Sequence, residues 1–583
     1  MPVNNDLVLL EQVLQQRQQE RAAPVSDARA FEIFACEQAL RALDVAVDEV
    51  EAGVVGDGGD AAIDGVFVFL GGELLSEDSD IFQDGFTPSR VPTRSKLELW
   101  LVQAKRETSF TETAVDLVAD STRRLLDLGV EESDLRQLYN DEVVRRTGYF
   151  RQALRALATR HPKVEVRFVY ATKGNTRDVN AKVQIKGNEL ARQFEGVMTG
   201  CVGHAEFVGA AELWARSNQF PSYTMTLKYQ EDAASEDSHV ALVKLRDYMD
   251  FLTDESEDLR RHIFDWNVRD YQGDVEVNKE IRASIADPEA PEFWWLNNGV
   301  TIVCSRATSM NRTYSLDNVQ VVNGLQTSHT MFEALRELPS THPAFDRSVL
   351  VRILVTGDDE TTRDRVIRAT NRQTTVPVAS LRATDQIQRD IEAYFAVHAW
   401  YYDRRKNYYR NIGKSAERIV SIPLLAQAIM AMGLSRPDNS RARPSSLLKR
   451  NEDYDRIFDR KLPLGIYLWL AQTQKIVDTF LLSDAVQVSP TERTNFRFHI
   501  AMVAAARLVG ARVHHPSQLG EVVERGAWPS SDDLHSAYRI VAHGYLELVL
   551  NGSGLGDKVV KGPDFVEYLH KRALDAPPAM RRE

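Results

Sequence analysis

The sequence predicts a multidomain α/β protein in three parts: an N-terminal α/β sandwich, a mixed α/β middle and a mostly helical C-terminal region. Two patterns carry this. Residues 1–229 alternate in the order helix, strand, strand, helix, strand, the signature of a layered α/β body. From about residue 396 onward, apolar residues recur at helical spacing, as in "YLWLAQTQKIVDTFLL" and "FRFHIAMVAAARLVG". A chain of 583 residues is also too long for one ordinary core.

The elements follow in order. "ARAFEIFACEQALRAL" spaces its apolar residues as an amphipathic helix. A Gly/Asp-rich turn leads into the strand "GVFVFL", and a polar excursion leads to the strand "LELWLVQAK". "TAVDLVADSTRRLLDL" is a helix, "KVEVRFVYATKG" a strand and "NELARQFEG" a short helix. The acidic run "QEDAASEDSH" (residues 230–239) is expected to be a domain boundary, which gives domains at 1–229, 240–395 and 396–583.

Composition narrows the class. Hydrophobic residues make up 43% and charged residues 27%, as in globular proteins. A formal charge of −13 argues against indiscriminate coating of nucleic acid but leaves room for a local basic groove. The three cysteines lack metal-ligand spacing, which predicts neither a disulfide framework nor a Cys-type zinc site. No signal-peptide pattern and no apolar run of roughly twenty residues stands out, so the expectation is a cytoplasmic protein without a membrane partner.

One constellation carries chemistry. Asp64 closes the turn "GDGGDAAID" and feeds directly into a strand; Gln103 and Lys105 alternate along the next, so their side chains share a face. If the strands pair, Asp64 and Gln103 converge with Lys105 alongside. A carboxylate and an amide oxygen there suit Mg²⁺ or Mn²⁺. The lysine then positions water and stabilises charge on phosphate oxygens. Asp57 and Asp60 read as turn formers, with Asp60 also a candidate to support the metal ligands from behind. This set resembles the PD-(D/E)XK nucleases, in the Mrr-like restriction endonuclease version with Gln as the second acid. That pattern has "FE" on the first helix, "GID" before a strand and "QxK" on the next; the matches are Phe31-Glu32, Ile63-Asp64-Gly65 and Gln103-Ala104-Lys105. The resemblance implies Glu32 as the helix-borne acid, with Glu37 as the alternative.

In the middle, "FWWLNNGVTIVCS", "VQVVNGLQTSHTMFEAL" and "ATNRQTTVPVASLRATDQIQ" concentrate uncharged hydrogen-bonding groups: Asn297, Asn298, Asn323, Gln326, Thr327, Asn371 and Gln373. Such groups either satisfy one another in a core or read nucleic acid. With "NVRDYQGDVEVNKEI", these segments are strongly similar to the abortive infection phage resistance (AIPR) family, over about residues 267–418. The resemblance implies bacterial defence against phage. Asn323 and Gln326 are candidate binding residues.

"WYYDRRKNYYRNIGKSAER" interleaves aromatics with Arg404, Arg405, Lys406 and Arg410, which predicts stacking on bases beside phosphate contacts. The spacing of Arg493 and His499 resembles HEPN ribonucleases. The leading expectation is therefore a metal-dependent endonuclease acting on nucleic acid, DNA ahead of RNA. A phage component, a partner defence protein and a second copy of the chain are further candidate partners. The rivals are an inactive nucleic-acid-binding module and a metal-independent HEPN-like ribonuclease.

Overall fold

The computed structural model describes residues 5–21, 25–43, 45–56, 58–83, 85–218, 224–254, 258–264, 276–357, 366, 385–442, 451–483, 485–550 and 556–575. Asp57, Asn371, Gln373 and the motif segments 267–275 and 369–384 lie outside these residues.

The N-terminal body opens with α1 (Asn5–Glu20), α2 (Asp27–Ala39) and α3 (Val47–Gly53). Ser26 caps α2 by accepting from the Arg29 N–H at 3.2 Å. Then come β1 (Gly65–Leu70), β2 (Glu73–Leu74), β3 (Lys96–Lys105), α4 (Glu112–Leu125), α5 (Glu132–Leu135), α6 (Asp141–Ala156), β4 (Lys163–Thr172), α7 (Ala181–Glu195), β5 (Val202–Val208) and α8 (Ala210–Ser217). The strands form one mixed sheet in the order β2-β1-β3-β4-β5. β1 runs antiparallel to β3, while β4 runs parallel to both of its neighbours.

Strand parity sorts the side chains into two cores. Val66, Val68, Leu97, Leu99 and Leu101 pack into one cluster with Val115, Val118 and Leu190 of α4 and α7. Phe67, Phe69, Val102 and Ala104 pack on the opposite face with Phe31 and Phe34 of α2 and Leu213 of α8. This alternation puts Gln103 and Lys105 on the first face, at the end of the apolar layer, with Asp64 just ahead of β1 at the same end of the sheet.

The second body begins with β6 (Met225–Lys228), β7 (Glu231–Ser235), β8 (Ser238–Lys244), α9 (Leu245–Leu252), α10 (Glu276–Ala286) and α11 (Phe293–Leu296). It continues with β9 (Val300–Cys304), β10 (Arg306–Met310), β11 (Thr313–Asp317), β12 (Gln320–Asn323), α12 (Leu325–Arg336) and β13 (Ser348–Val355). One sheet has the order β12-β9-β13-β8-β7 and a smaller one the order β10-β11-β6. The acidic stretch 230–239, expected as a boundary, lies within the β7–β8 hairpin, in which Ser235 pairs with Ser238. β7 is an exposed edge strand throughout, so backbone pairing holds it and its polar side chains need no core.

The C-terminal region is mostly helical, as expected. It starts earlier than residue 396: Ile387, Ile391 and Phe395 of the helix Gln386–Val397 belong to its core. That core centres on the helix Leu464–Leu482 and the helix Pro490–Val509, with Tyr467, Trp469, Leu470, Phe496 and Ile500 buried. A short parallel pair, β14 (Tyr401–Asp403) and β15 (Ile419–Ser421), crosses it. Among the described residues no helix is long and apolar enough to cross a membrane.

Candidate active site

Asp64 is fixed by the backbone on both sides. Its N–H donates to the Val102 carbonyl at 2.8 Å, and its carbonyl accepts from the Val55 N–H at 2.8 Å. Gly65 pairs with Val102, and this register, continued one residue, sets Asp64 opposite Gln103. Asp64 is 2% exposed. Its Oδ2 accepts from the Ala104 N–H at 2.7 Å and lies 3.7 Å from Lys105 Nζ.

Asp64 Oδ1 faces Gly56. A β-carbon at Gly56 would stand 3.1 Å from Asp64 Oδ1 and 3.0 Å from Glu32 Oε2, so the two carboxylates flank the same point of backbone. Any side chain at residue 56 would wedge between them. Glu32 Oε2 also accepts from Arg29 Nη1 at 3.0 Å. Gln103 is buried, and among the described residues its Oε1 has no hydrogen-bond donor.

The electrostatics follow from this crowding. Burial, reinforced by the Glu32 carboxylate, pushes Asp64 up to about 7 against the pull of Lys105 and the Ala104 N–H. Burial also raises Glu32, against Arg29 and Lys105. Two acids and an undonated amide oxygen therefore share a corner with a half-exposed lysine. That donor set fits a hard divalent cation, which would supply the charge the acids lack and the partner that Gln103 Oε1 lacks. Among the described residues there is no cluster of three or more His, Cys, Asp or Glu that could hold a metal.

The loop that delivers Asp64 runs through left-handed backbone at Gly58, Gly59, Ala61 and Ala62. Asn140 pins it. Its N–H donates to the Gly59 carbonyl at 2.7 Å, and its Nδ2 donates to the carbonyls of Val55 and Gly58. The same side chain caps α6 by accepting from the Val143 N–H. Asp60 closes the turn by accepting from the Ala62 N–H, in keeping with its reading as a turn former. Sequence reasoning missed Asn140 and Gly56; an Asn ahead of a helix signals only a cap.

Glu37, the alternative acid, is buried against Arg17 at 2.7 Å, so Glu32 alone of the two sits beside Asp64.

The cation-aromatic segment is corrected by its burial. Arg404 donates to Glu392 at 2.8 Å with a side chain 2% exposed, and Arg405 joins the same carboxylate and stacks on Tyr408. Arg410 is buried and donates to the Val45 carbonyl at 2.9 Å. Lys406 is exposed but bridges to Glu49 at 3.2 Å. These groups tie elements together, and Arg404 and Arg410 lie where phosphate does not reach. Arg404→Ala strands part of the charge of buried Glu392, so a loss on the order of 3 kcal/mol in denaturant unfolding is expected. An unchanged midpoint, with weaker and less salt-sensitive DNA binding, would restore the nucleic-acid role.

Asn323 ends β12, and Gln326 Oε1 accepts from buried Asn278 at 2.9 Å. Asn323 lies on the second sheet, and Gln326 and Asn278 on the helices α12 and α10, all in the second body with no contact to the Asp64 corner among the described residues. The two Asn-Gly motifs meet there: a β-carbon at Gly324 would stand 3.2 Å from the Gly299 carbonyl, and both glycines have positive φ. Gly299→Ala would place its β-carbon 2.4 Å from the Leu350 carbonyl. A loss of about 2–4 kcal/mol is expected, read by denaturant unfolding. His499 is fully buried against Phe565, and burial lowers it to about 4. It has no access to RNA, and the HEPN-like reading loses its base.

Fold and site together define a multidomain α/β protein with a buried carboxylate–amide–lysine corner. Residues 264–525 match the family model described as AIPR protein, which covers much of the second body and the helical region that follows it. No curated protein and no solved structure matches the chain.

Proposed function

We propose that this protein is a metal-dependent nuclease of a phage-defence system, cutting with its N-terminal body. The observation that carries the reading is the convergence of Asp64, Gln103, Lys105 and Glu32 at one sheet corner. Asp64 and Gln103, with Glu32 beside them, would hold Mg²⁺ or Mn²⁺, which when bound supplies Lewis-acid stabilisation of the phosphate. Lys105, about two-fifths exposed, reaches the mouth of the site. Its ammonium orients the attacking water and stabilises charge on a non-bridging phosphate oxygen. Arg29 holds Glu32 in place. The AIPR match supports the defence role, with the AIPR region sensing nucleic acid or a phage component.

The test is cleavage of duplex DNA, single-stranded DNA and RNA by the purified full chain with Mg²⁺ or Mn²⁺. Cleavage that stops in EDTA is expected, with DNA preferred. Binding without cleavage under every condition would favour an inactive recognition module.

A further inference from the structure

α3 is the short helix between Glu32 on α2 and the Asp64 loop, and residues of the C-terminal region hold each of its three acids. Asp48 accepts from the Ser421 hydroxyl at 3.0 Å, Glu49 bridges to Lys406 at 3.2 Å, and Glu51 to Lys475 at 3.6 Å. Val47 packs with Ala416 and Ile419, and Arg410 grips the carbonyl of Val45 just ahead of the helix. Downstream the link to the site is short. Val54 bridges to Gly65, Val55 bonds to the Asp64 carbonyl, and a β-carbon at Gly56 would meet both carboxylates.

We propose that Lys475, on the helix Leu464–Leu482, is a positioning residue for the metal site, acting through Glu51 and α3. This rests on the nuclease reading above. Lys475 is 6% exposed, and around it lie Glu51, Glu417, Asp48 and Asp478, which keep its charge despite burial. A buried ammonium on a core helix is a fixed point. It sets where α3 ends, and so where the chain turns into Val54–Gly56 between the two carboxylates. Leu482 of the same helix packs on the N-terminal cluster, so the contact is a seat and not a lone ion pair. The AIPR region is thereby part of the apparatus that shapes the site.

The experiment uses the full chain with two variants, Lys475→Met and the double variant Lys475→Met/Glu51→Gln, which removes the Glu51 charge together with its partner. Mn²⁺ binding by calorimetry, the Mn²⁺ dependence of cleavage, and amide hydrogen exchange of residues 54–64 are measured. Both variants are expected to need roughly 10-fold more Mn²⁺ for half-saturation. Rates at saturating Mn²⁺ should stay near wild type, and exchange at 54–64 should speed up. A folded double variant with wild-type Mn²⁺ half-saturation and wild-type exchange would overturn the proposal, because Lys475 would then serve only to neutralise Glu51. If the wild-type chain neither cleaves nor binds Mn²⁺, the nuclease reading fails. The exchange of residues 54–64 then still decides whether Lys475 governs the Asp64 loop.

Discussion

Asp64→Asn abolishes metal-dependent cleavage, a loss of at least about 10²–10³ in rate, while leaving the chain folded. The substitution keeps the shape that accepts the Ala104 N–H on one side and faces Gly56 on the other. It removes the one fully buried charge that would hold the cation. A second readout separates this from a folding defect. In metal-free protein, Asp64 is raised to about 7, so the folded state keeps a proton that the unfolded chain releases near pH 4. Its contribution to stability is thus complete below about pH 4 and is lost as pH rises through 7. In EDTA the wild-type chain should lose stability from Asp64 between about pH 4 and pH 7, on the order of a few kcal/mol. Asp64→Asn should flatten that part of the profile and be the more stable protein at pH 8. Added Mn²⁺ should raise the wild-type Tm at pH 8 and leave that of Asp64→Asn unmoved. Cleavage by folded Asp64→Asn, or activity that persists in EDTA, would remove this corner from the account.

Lys105→Ala lowers the rate at saturating metal by about 10²–10³ while Mn²⁺ binding is retained. Lys105 Nζ is 3.7 Å from Asp64 Oδ2 and its side chain is two-fifths exposed, so it reaches outward to substrate as well as inward to the acid. Loss of the lysine also removes a cation that favours the ionised forms of Asp64 and Glu32. The pH at which metal binding sets in should therefore move upward. Gln103→Glu is the companion variant. It adds a third acid where Oε1 has no donor among the described residues, so metal-free stability should fall and Mg²⁺ affinity should rise. Equal Mg²⁺ affinity in Gln103→Glu and wild type would mean that residue 103 does not face the metal.

The corner was legible because strand parity is local. Once Gln103 and Lys105 lie on one strand, a period of two puts them on one face, and antiparallel pairing with β1 does the rest. The choice between Glu32 and Glu37 was not legible. It depends on Arg17, which reaches α2 from another helix and consumes Glu37. The same long-range effect reversed the reading of Arg404 and Arg410. Their alternation with tyrosines suits a binding stripe, but Glu392 on the preceding helix and the Val45 carbonyl, far back in the chain, draw them inside. The β7–β8 hairpin was hidden because an exposed edge strand has no hydrophobic pattern to show. Asn140 was hidden for a different reason: its second task is to hold carbonyls more than 80 residues upstream.

Ala61 and Ala62 stand at φ of 61° and 59° in the loop ahead of Asp64. Left-handed backbone costs a residue with a β-carbon about 1–2 kcal/mol, which glycine avoids. Glycine already serves at 58 and 59, so the chain forgoes a cheap gain in stability at 61 and 62. The return is stiffness. Alanine leaves the unfolded and half-open loop fewer conformations, and Asn140 fastens the rest. Replacing both alanines with glycine should therefore raise thermal stability and lower activity together, the exchange expected where thermodynamic reserve has been surrendered to keep a reactive corner rigid.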